Sequence, residues 1–161
     1  MKYQNDIDTA LGQKKNYKSL VRKLKKKNTR EVDNLFHTLH DEVFEEVDCL
    51  ACANCCKTTS PIFRDVDVER LAKALRMPVA EFQKKYLTMD ADRDWVLQTA
   101  PCPFLGEDNY CSVYEWRPKA CREYPHTDRK NMLQILNLSL KNTEVCPAVA
   151  KIFFEISQRN Q

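Results

Sequence analysis

Four thiols fall within eight residues of this chain. Cys49, Cys52, Cys55 and Cys56 follow the spacing C-x-x-C-x-x-C-C. Two cysteines separated by two residues can turn their sulfurs toward one centre, and thiolates bind Zn²⁺ and iron strongly. Three thiols at successive C-x-x-C intervals can wrap a larger object, as bacterial ferredoxins do with a remote cysteine that precedes proline. The fourth local thiol, Cys56, comes at once rather than after three residues. Neighbouring side chains on extended backbone point to opposite sides, so the Cys55–Cys56 doublet suggests two centres. The alternative, buried cysteines acting as small hydrophobes, suits an isolated thiol and not this spacing.

The other four cysteines stand in company that suits ligands. Cys102 lies between Pro101 and Pro103, and Cys146 precedes Pro147. Proline stiffens the backbone beside each thiol and removes a competing amide donor. Cys111 sits in an expected hairpin, and Cys121 lies between Arg117 and Arg122. Several thiolates around one metal carry net negative charge, which those guanidiniums would offset while donating to the sulfurs. The candidate metal ligands are therefore Cys49, Cys52, Cys55, Cys56, Cys102, Cys111, Cys121 and Cys146, with Arg117 and Arg122 around them. Eight thiols suit one multi-iron cluster plus a second centre, or two four-coordinate sites. His37 and His40, three apart on an expected helix, read as surface or boundary residues because the thiols already complete a ligand set.

Only two glycines occur in 161 residues, and no glycine-rich phosphate loop or dinucleotide fingerprint is present. The scarcity also disfavours a many-turned all-β architecture. Apolar residues make up 43%, enough for a core. The first ten residues are polar, so no secretory segment is expected, and no run of about 18 apolar residues predicts a membrane span. A cytoplasmic location is expected, where thiols stay reduced and serve metals rather than disulfides.

Residues 14–30 hold nine Lys or Arg and no acid, whereas 31–48 hold seven Asp or Glu and no Lys or Arg. One continuous helix would set both blocks against its dipole. A break near Asn28-Thr29 removes the conflict, and Asn28 with Glu31 reads as a capping box. Helices are expected over 6–27 and 29–47, the second with the apolar stripe Val32, Leu35, Phe36, Leu39, Val43 and Val47. The basic stretch 1–28 is expected to be a helix or arm before a cysteine-cluster domain over 29–157. It could dock an acidic protein partner; with only Tyr17 as an interleaved aromatic, nucleic acid is not expected.

After a loop at 58–61, helices are expected over 67–76 and 78–87, a plain helical hairpin rather than a DNA-reading helix-turn-helix. Trp95–Leu97 reads as a strand, and 104–114 as a small hairpin turning at 106–109. Pro118 opens a helical turn that includes Cys121. Residues 129–141 are expected to be helical, although 136–140 also alternates like a strand. Pro147 starts a final helix with Val149, Ile152, Phe153 and Ile156 on one face. The fold class is mainly α with a small β-hairpin, a compact α-rich domain built around a cysteine metal cluster.

The ordered set Cys49-x-x-Cys52-x-x-Cys55-Cys56, Pro101-Cys102-Pro103-Phe104-Leu105, Cys111-Ser112-Val113-Tyr114, Arg117-Pro118-x-x-Cys121-Arg122-x-Tyr124-Pro125 and Cys146-Pro147 resembles the zinc- or iron-chelating cysteine-cluster (CxxCxxCC) domain family. The likeness spans about 47–150 and includes all eight cysteines. It implies chelation of iron or zinc without choosing between them; the intervals favour an iron–sulfur cluster slightly. A related cluster accompanies methyl transfer from S-adenosylmethionine in flagellin lysine methylases. This chain is short and lacks a glycine-rich nucleotide loop, and its spacing differs from the C-x-x-x-C-x-x-C of radical enzymes. Two alternatives to a metal-binding protein follow. One is a metal-dependent enzyme of methyl transfer or redox, with Arg117, Arg122, Tyr114, Tyr124 and His126 as its polar groups. The other is a structural zinc module that presents the basic helix to a partner.

Overall fold

The structure, a computed structural model, describes residues 2–159; Met1, the first residue of the expected basic segment, lies outside them, as do Asn160 and Gln161. With 60% of the described residues helical and one two-stranded antiparallel sheet among them, the fold is mainly α, as expected. In chain order the elements are α1 (Gln4–Gly12), α2 (Lys14–Leu24), α3 (Thr29–Phe44), α4 (Cys49–Cys52), α5 (Asn54–Thr58), α6 (Asp65–Ala74), α7 (Val79–Tyr86), β1 (Leu87–Met89), β2 (Trp95–Leu97), α8 (Lys119–Glu123), α9 (Leu136–Asn142) and α10 (Pro147–Arg159). Short 3-10 turns cover Tyr114–Trp116 and Met132–Ile135. Among the described residues, no helix is long and apolar enough to cross a membrane.

The chain divides into two units. The first comprises residues up to Cys52 together with those from Pro125 onward, and the second is Ala53–Tyr124. In the first unit the expected helix 6–27 is two helices. The break falls at Gln13, whose backbone (φ −97°, ψ 7°) leaves the helix just after Gly12, a residue of low helix propensity. Tyr17, Leu20, Val21 and Leu24 of α2 are buried, and its lysines and arginines face solvent. Asn28 opens α3 in extended conformation, and its side-chain oxygen accepts the Arg30 N–H at 2.8 Å. Glu31, expected to complete a capping box, pairs with Lys27 instead. Helix α10 packs on α1, α2, α3 and α9. Its Phe153 meets Tyr17 at 5.5 Å and Phe36 at 6.0 Å between ring centroids, so aromatic edges close this core. The expected helix 129–141 is a 3-10 turn followed by α9, and its ambiguous 136–140 stretch is helical because Leu136 and Ser139 turn inward together.

In the second unit α6 and α7 form the expected helical hairpin. Both start a little off the expected positions, α6 at Asp65 and α7 at Val79. Their connection turns at Arg76, which has φ 55°. Val68, Leu71 and Phe82 join Phe63, Leu87, Leu97, Phe104 and Val113 in one buried cluster. Trp95–Leu97 is a strand as expected. Its partner is Leu87–Met89, in the register Leu87↔Leu97, Thr88↔Val96 and Met89↔Trp95. The hairpin expected at 104–114 contracts to one bridge, Leu105↔Cys111. Its turn survives because Gly106 N–H bonds Tyr110 O at 2.8 Å and Asn109, at φ 64°, reverses the chain.

Candidate metal centre

The unit boundary falls inside the cysteine motif, between Cys52 and Ala53. Ala53 adopts a left-handed backbone, φ 48° and ψ 18°, between the short helices α4 and α5. An L-residue occupies this region at a cost of about 1 kcal/mol, so the conformation is held by what surrounds it. Cys55 and Cys56 lie on α5, not on extended backbone. Consecutive side chains therefore diverge by about 100° around a helix rather than by alternation. The doublet's two directions have a helical origin, which corrects the expectation from extended geometry.

In the second unit the backbone draws three cysteine segments together. Cys102 N–H bonds Cys56 O at 2.8 Å, Leu105 N–H bonds Cys102 O at 3.1 Å, and Leu105 bridges Cys111. The tight turn Cys102-Pro103-Phe104-Leu105 aims the N–H groups of Phe104 and Leu105 at the Cys102 thiol, and the Val113 N–H points at the Cys111 thiol. Cys121 comes from α8, which Pro118 opens. Burial pushes the Cys121 thiol up to about 12; Cys56, Cys102 and Cys111 add to the rise and the Arg117 guanidinium opposes it. Cys102 rises to about 11, again from burial, with its two N–H donors opposing and Cys56 and Cys111 adding. Cys111 is raised by burial against the pull of the Val113 N–H and Arg117. Cys56 moves the other way, down to about 7, because the Cys55 S–H donates to it; burial opposes this shift and Lys57 assists it. The charges of Cys56, Cys102 and Cys111 thus act on one another's neighbourhood and on Cys121.

The first unit holds a second group. Cys146 occupies the N-terminal entry to α10, where Pro147 has no N–H and the next two amides, Ala148 and Val149, point at its sulfur. Burial still carries this thiol up to about 12, and Cys49 and Cys52 add to the rise. Cys52 and Cys146 are buried, whereas Cys49 is exposed at the start of α4. Asp48 caps that helix by accepting the Leu50 N–H at 2.9 Å.

Arg117 is the cation that the Cys111 and Cys121 thiols feel. Its guanidinium lies 3.7 Å from the Tyr114 ring centroid and donates to Tyr114 O at 2.7 Å. Arg122 is exposed on the last turn of α8. Tyr124 directly follows that helix and is half-buried, as is His126. The two helix histidines have structural partners. His37 Nε2 meets Arg129 O at 2.8 Å and His40 Nδ1 meets Thr127 Oγ1 at 2.8 Å, tying down the loop that follows Pro125.

One group escaped the sequence reading. Asp67 of α6 is fully buried and receives the Arg64 N–H and Nε at 3.1 Å each, Arg70 Nη2 at 2.7 Å and the Lys119 N–H at 3.3 Å. Arg70 also donates to Trp116 O at 3.2 Å and to Arg117 O at 3.0 Å. The local half of this network has a sequence signal, an acid three residues after the residue that precedes the helix. Its reach to 116–119 has none, because it depends on how α6 packs.

The second unit holds five cysteines, Cys55, Cys56, Cys102, Cys111 and Cys121, and a donor set of sulfurs without carboxylates would fit Zn²⁺ or iron rather than Mg²⁺ or Ca²⁺. The N–H groups aimed at Cys102, Cys111 and Cys146 favour the thiolate form that a metal requires. As the side chains stand, no three His, Cys, Asp or Glu among the described residues are arranged to hold an ion. A family model, CxxCxxCC, described as a putative zinc- or iron-chelating domain, matches residues 48–147, the stretch that holds all eight cysteines. None of the curated proteins and none of the solved structures matches the chain.

Proposed function

Because the chain belongs to the CxxCxxCC family of zinc- or iron-chelating domains, we propose that seven of its eight cysteines serve two separate metal centres. Cys56, Cys102, Cys111 and Cys121 form a four-sulfur site, with Arg117 offsetting its negative charge. Cys49, Cys52 and Cys146 form the basis of the second, and Cys55 stands beside the first through its S–H bond to Cys56. The observation that supports this reading is the grouping of the cysteines within each unit: backbone bonds draw the Cys56, Cys102 and Cys111 segments together and Cys121 feels their charge, while Cys146 feels Cys49 and Cys52. An iron–sulfur cluster is our preferred occupant of the Cys49 set, whose C-x-x-C interval and Cys-Pro partner match cluster ligation. Zinc or iron suits the four-sulfur site. A reducing cytoplasmic setting keeps the thiols available. When bound, the metals supply charge to hold thiolates together and, for iron–sulfur, an electron-transfer couple. The residues of this chain hold the sulfurs, donate N–H bonds to them and shield them from water.

Anaerobic purification followed by iron, zinc and sulfide analysis with a visible spectrum tests the reading. Protein with neither iron nor zinc refutes it. Cys121→Ser is expected to lose one portion of the metal and Cys146→Ser the other; loss of all metal from either variant refutes the division into two centres.

A second reading rests on α2. All eight Lys and Arg residues of 14–27 are exposed while the apolar face of the helix is buried, so this face attracts an acidic protein surface and cannot insert into lipid. Tyr17 is buried as well, which leaves no aromatic there for base stacking. Lys15→Glu with Lys18→Glu and Arg22→Glu is expected to abolish recovery of protein partners retained by the wild type, with an unchanged circular dichroism spectrum. Undiminished recovery rules this reading out.

A further inference from the structure

We infer that Asp67 and Arg70 are positioning residues for the four-sulfur site. This inference rests on the reading that Cys56, Cys102, Cys111 and Cys121 bind metal. Asp67 is fully buried on α6, and a buried carboxylate persists only where hydrogen bonds and opposite charge compensate it. Two arginines and two backbone amides supply that compensation, and they come from two places. Arg64 and Arg70 belong to the same stretch as Asp67, while the Lys119 N–H opens α8, two residues before Cys121. A capping interaction alone needs only the local half.

Arg70 extends the hold. Its Nη2 bridges Asp67 Oδ1 at 2.7 Å and Arg117 O at 3.0 Å, and its Nε reaches Trp116 O at 3.2 Å. Two consecutive carbonyls are thus pinned by one planar fork, which only a guanidinium can offer in this geometry. The pinned stretch carries Arg117, whose charge the Cys111 and Cys121 thiols feel, and it leads directly to Cys121. Asp67 holds the start of α8 by its first N–H while Arg70 holds the residues just before. The ligand segment is therefore fixed at both sides of Pro118 by an ion pair on another helix, its carboxylate buried and its guanidinium half-buried. Metal sites lose affinity when the groups that orient their ligands are removed, by about 10- to 100-fold.

Cobalt(II) titration of the full metal-free chain under reducing, oxygen-free conditions tests this, because sulfur-to-cobalt charge-transfer bands count the bound thiolates. Wild-type protein is expected to show the bands of both thiolate sets, and Cys146→Ser protein, used as the background for the variants below, the band intensity of the four thiolates of the four-sulfur site. Arg70→Lys keeps the positive charge and loses the fork. It is expected to bind Co²⁺ at least about tenfold more weakly, with altered ligand-field bands, while its metal-free urea midpoint changes little. Asp67→Asn is expected to show the same spectral change together with lower stability. Should Asp67→Asn fail to fold, Arg70→Lys decides alone. If Arg70→Lys matches the Cys146→Ser background in affinity and spectrum, the positioning role is refuted and the metal reading stands. If wild-type protein shows no charge-transfer band, the metal reading itself fails.

Discussion

Burial holds the Cys102, Cys111, Cys121 and Cys146 thiols in the neutral form, so a metal bound to them would have to displace their protons. Cys102 at about 11 and Cys121 at about 12, with Cys111 also raised, must each lose a proton on ligation, whereas Cys56 at about 7 is already partly ionised at neutral pH. Protons therefore compete with metal, and affinity rises with pH. Each thiol that stays protonated in the metal-free protein contributes about a tenfold change per pH unit. Lowering the pH from 8 to 6 is expected to weaken Zn²⁺ binding by well over 100-fold, measured by competition with a chromophoric chelator. A flat profile across that range excludes thiol ligation. Asp67 has the opposite behaviour. Burial would raise it, but the hydrogen bonds from Arg64 and Arg70 outweigh burial and hold it at about 2. Because its folded value lies below its unfolded one, its contribution, about 2 kcal/mol, is present above pH 4 and is lost as the pH falls toward 2. Acid alone thus weakens the Asp67 part of the link between α6 and the segment that carries Cys121, while the Arg70 bonds to Trp116 O and Arg117 O do not titrate.

At the scale of elements, short turns do the placing. Cys146 takes the position usually given to Ser or Asp at a helix entry, with Pro147 first in the helix and two amides free to face sulfur. Proline beside the cysteine is readable from sequence for that reason. The Cys111 arm depends on Gly106. A Cβ there would lie 2.6 Å from Asp108 Oδ1 and 3.3 Å from Tyr110 O, and Asp108 Oδ1 is itself engaged by the Tyr110 N–H at 3.0 Å. Gly106→Ala is expected to cost about 1–2 kcal/mol and to weaken metal binding, since the displaced turn closes the Leu105↔Cys111 bridge. Urea melts of the metal-free protein and a parallel metal titration separate the two effects. Unchanged values in both would mean that the turn relaxes without moving Cys111. The hairpin expected here could not be told from the real sheet by alternation alone. Leu87–Met89 follows α7 without a break, and three residues are too few to show a period of two.

Across the whole molecule, each unit has its own apolar core and its own group of cysteines, buried at Cys52 and Cys146 in the first and half-buried in the second. Metal that binds the folded chain and not the unfolded one adds about 4 kcal/mol at a concentration a thousandfold above Kd. Loading with metal is therefore expected to raise the melting temperature, and chelation to lower it, in a thermal scan followed by circular dichroism. An unchanged melting temperature would mean that the thiols do not hold metal in the folded state. Much of this was legible in the sequence because it is local. The apolar stripe of α3, the Asn28 cap, the α6–α7 hairpin, the final helix after Pro147 and the choice of cysteine over carboxylate donors each depend on residues a few positions apart. Family membership was legible in the same way, from cysteine intervals and their prolines. Tertiary structure alone decided the rest. It paired Leu87–Met89 with Trp95–Leu97, placed Cys55 and Cys56 on a helical turn and put the unit boundary inside the motif. It also brought Arg70 of α6 to the carbonyls of Trp116 and Arg117. That last outcome joins residues more than forty positions apart, and all of them rest on packing and burial rather than on the spacing of neighbours along the chain.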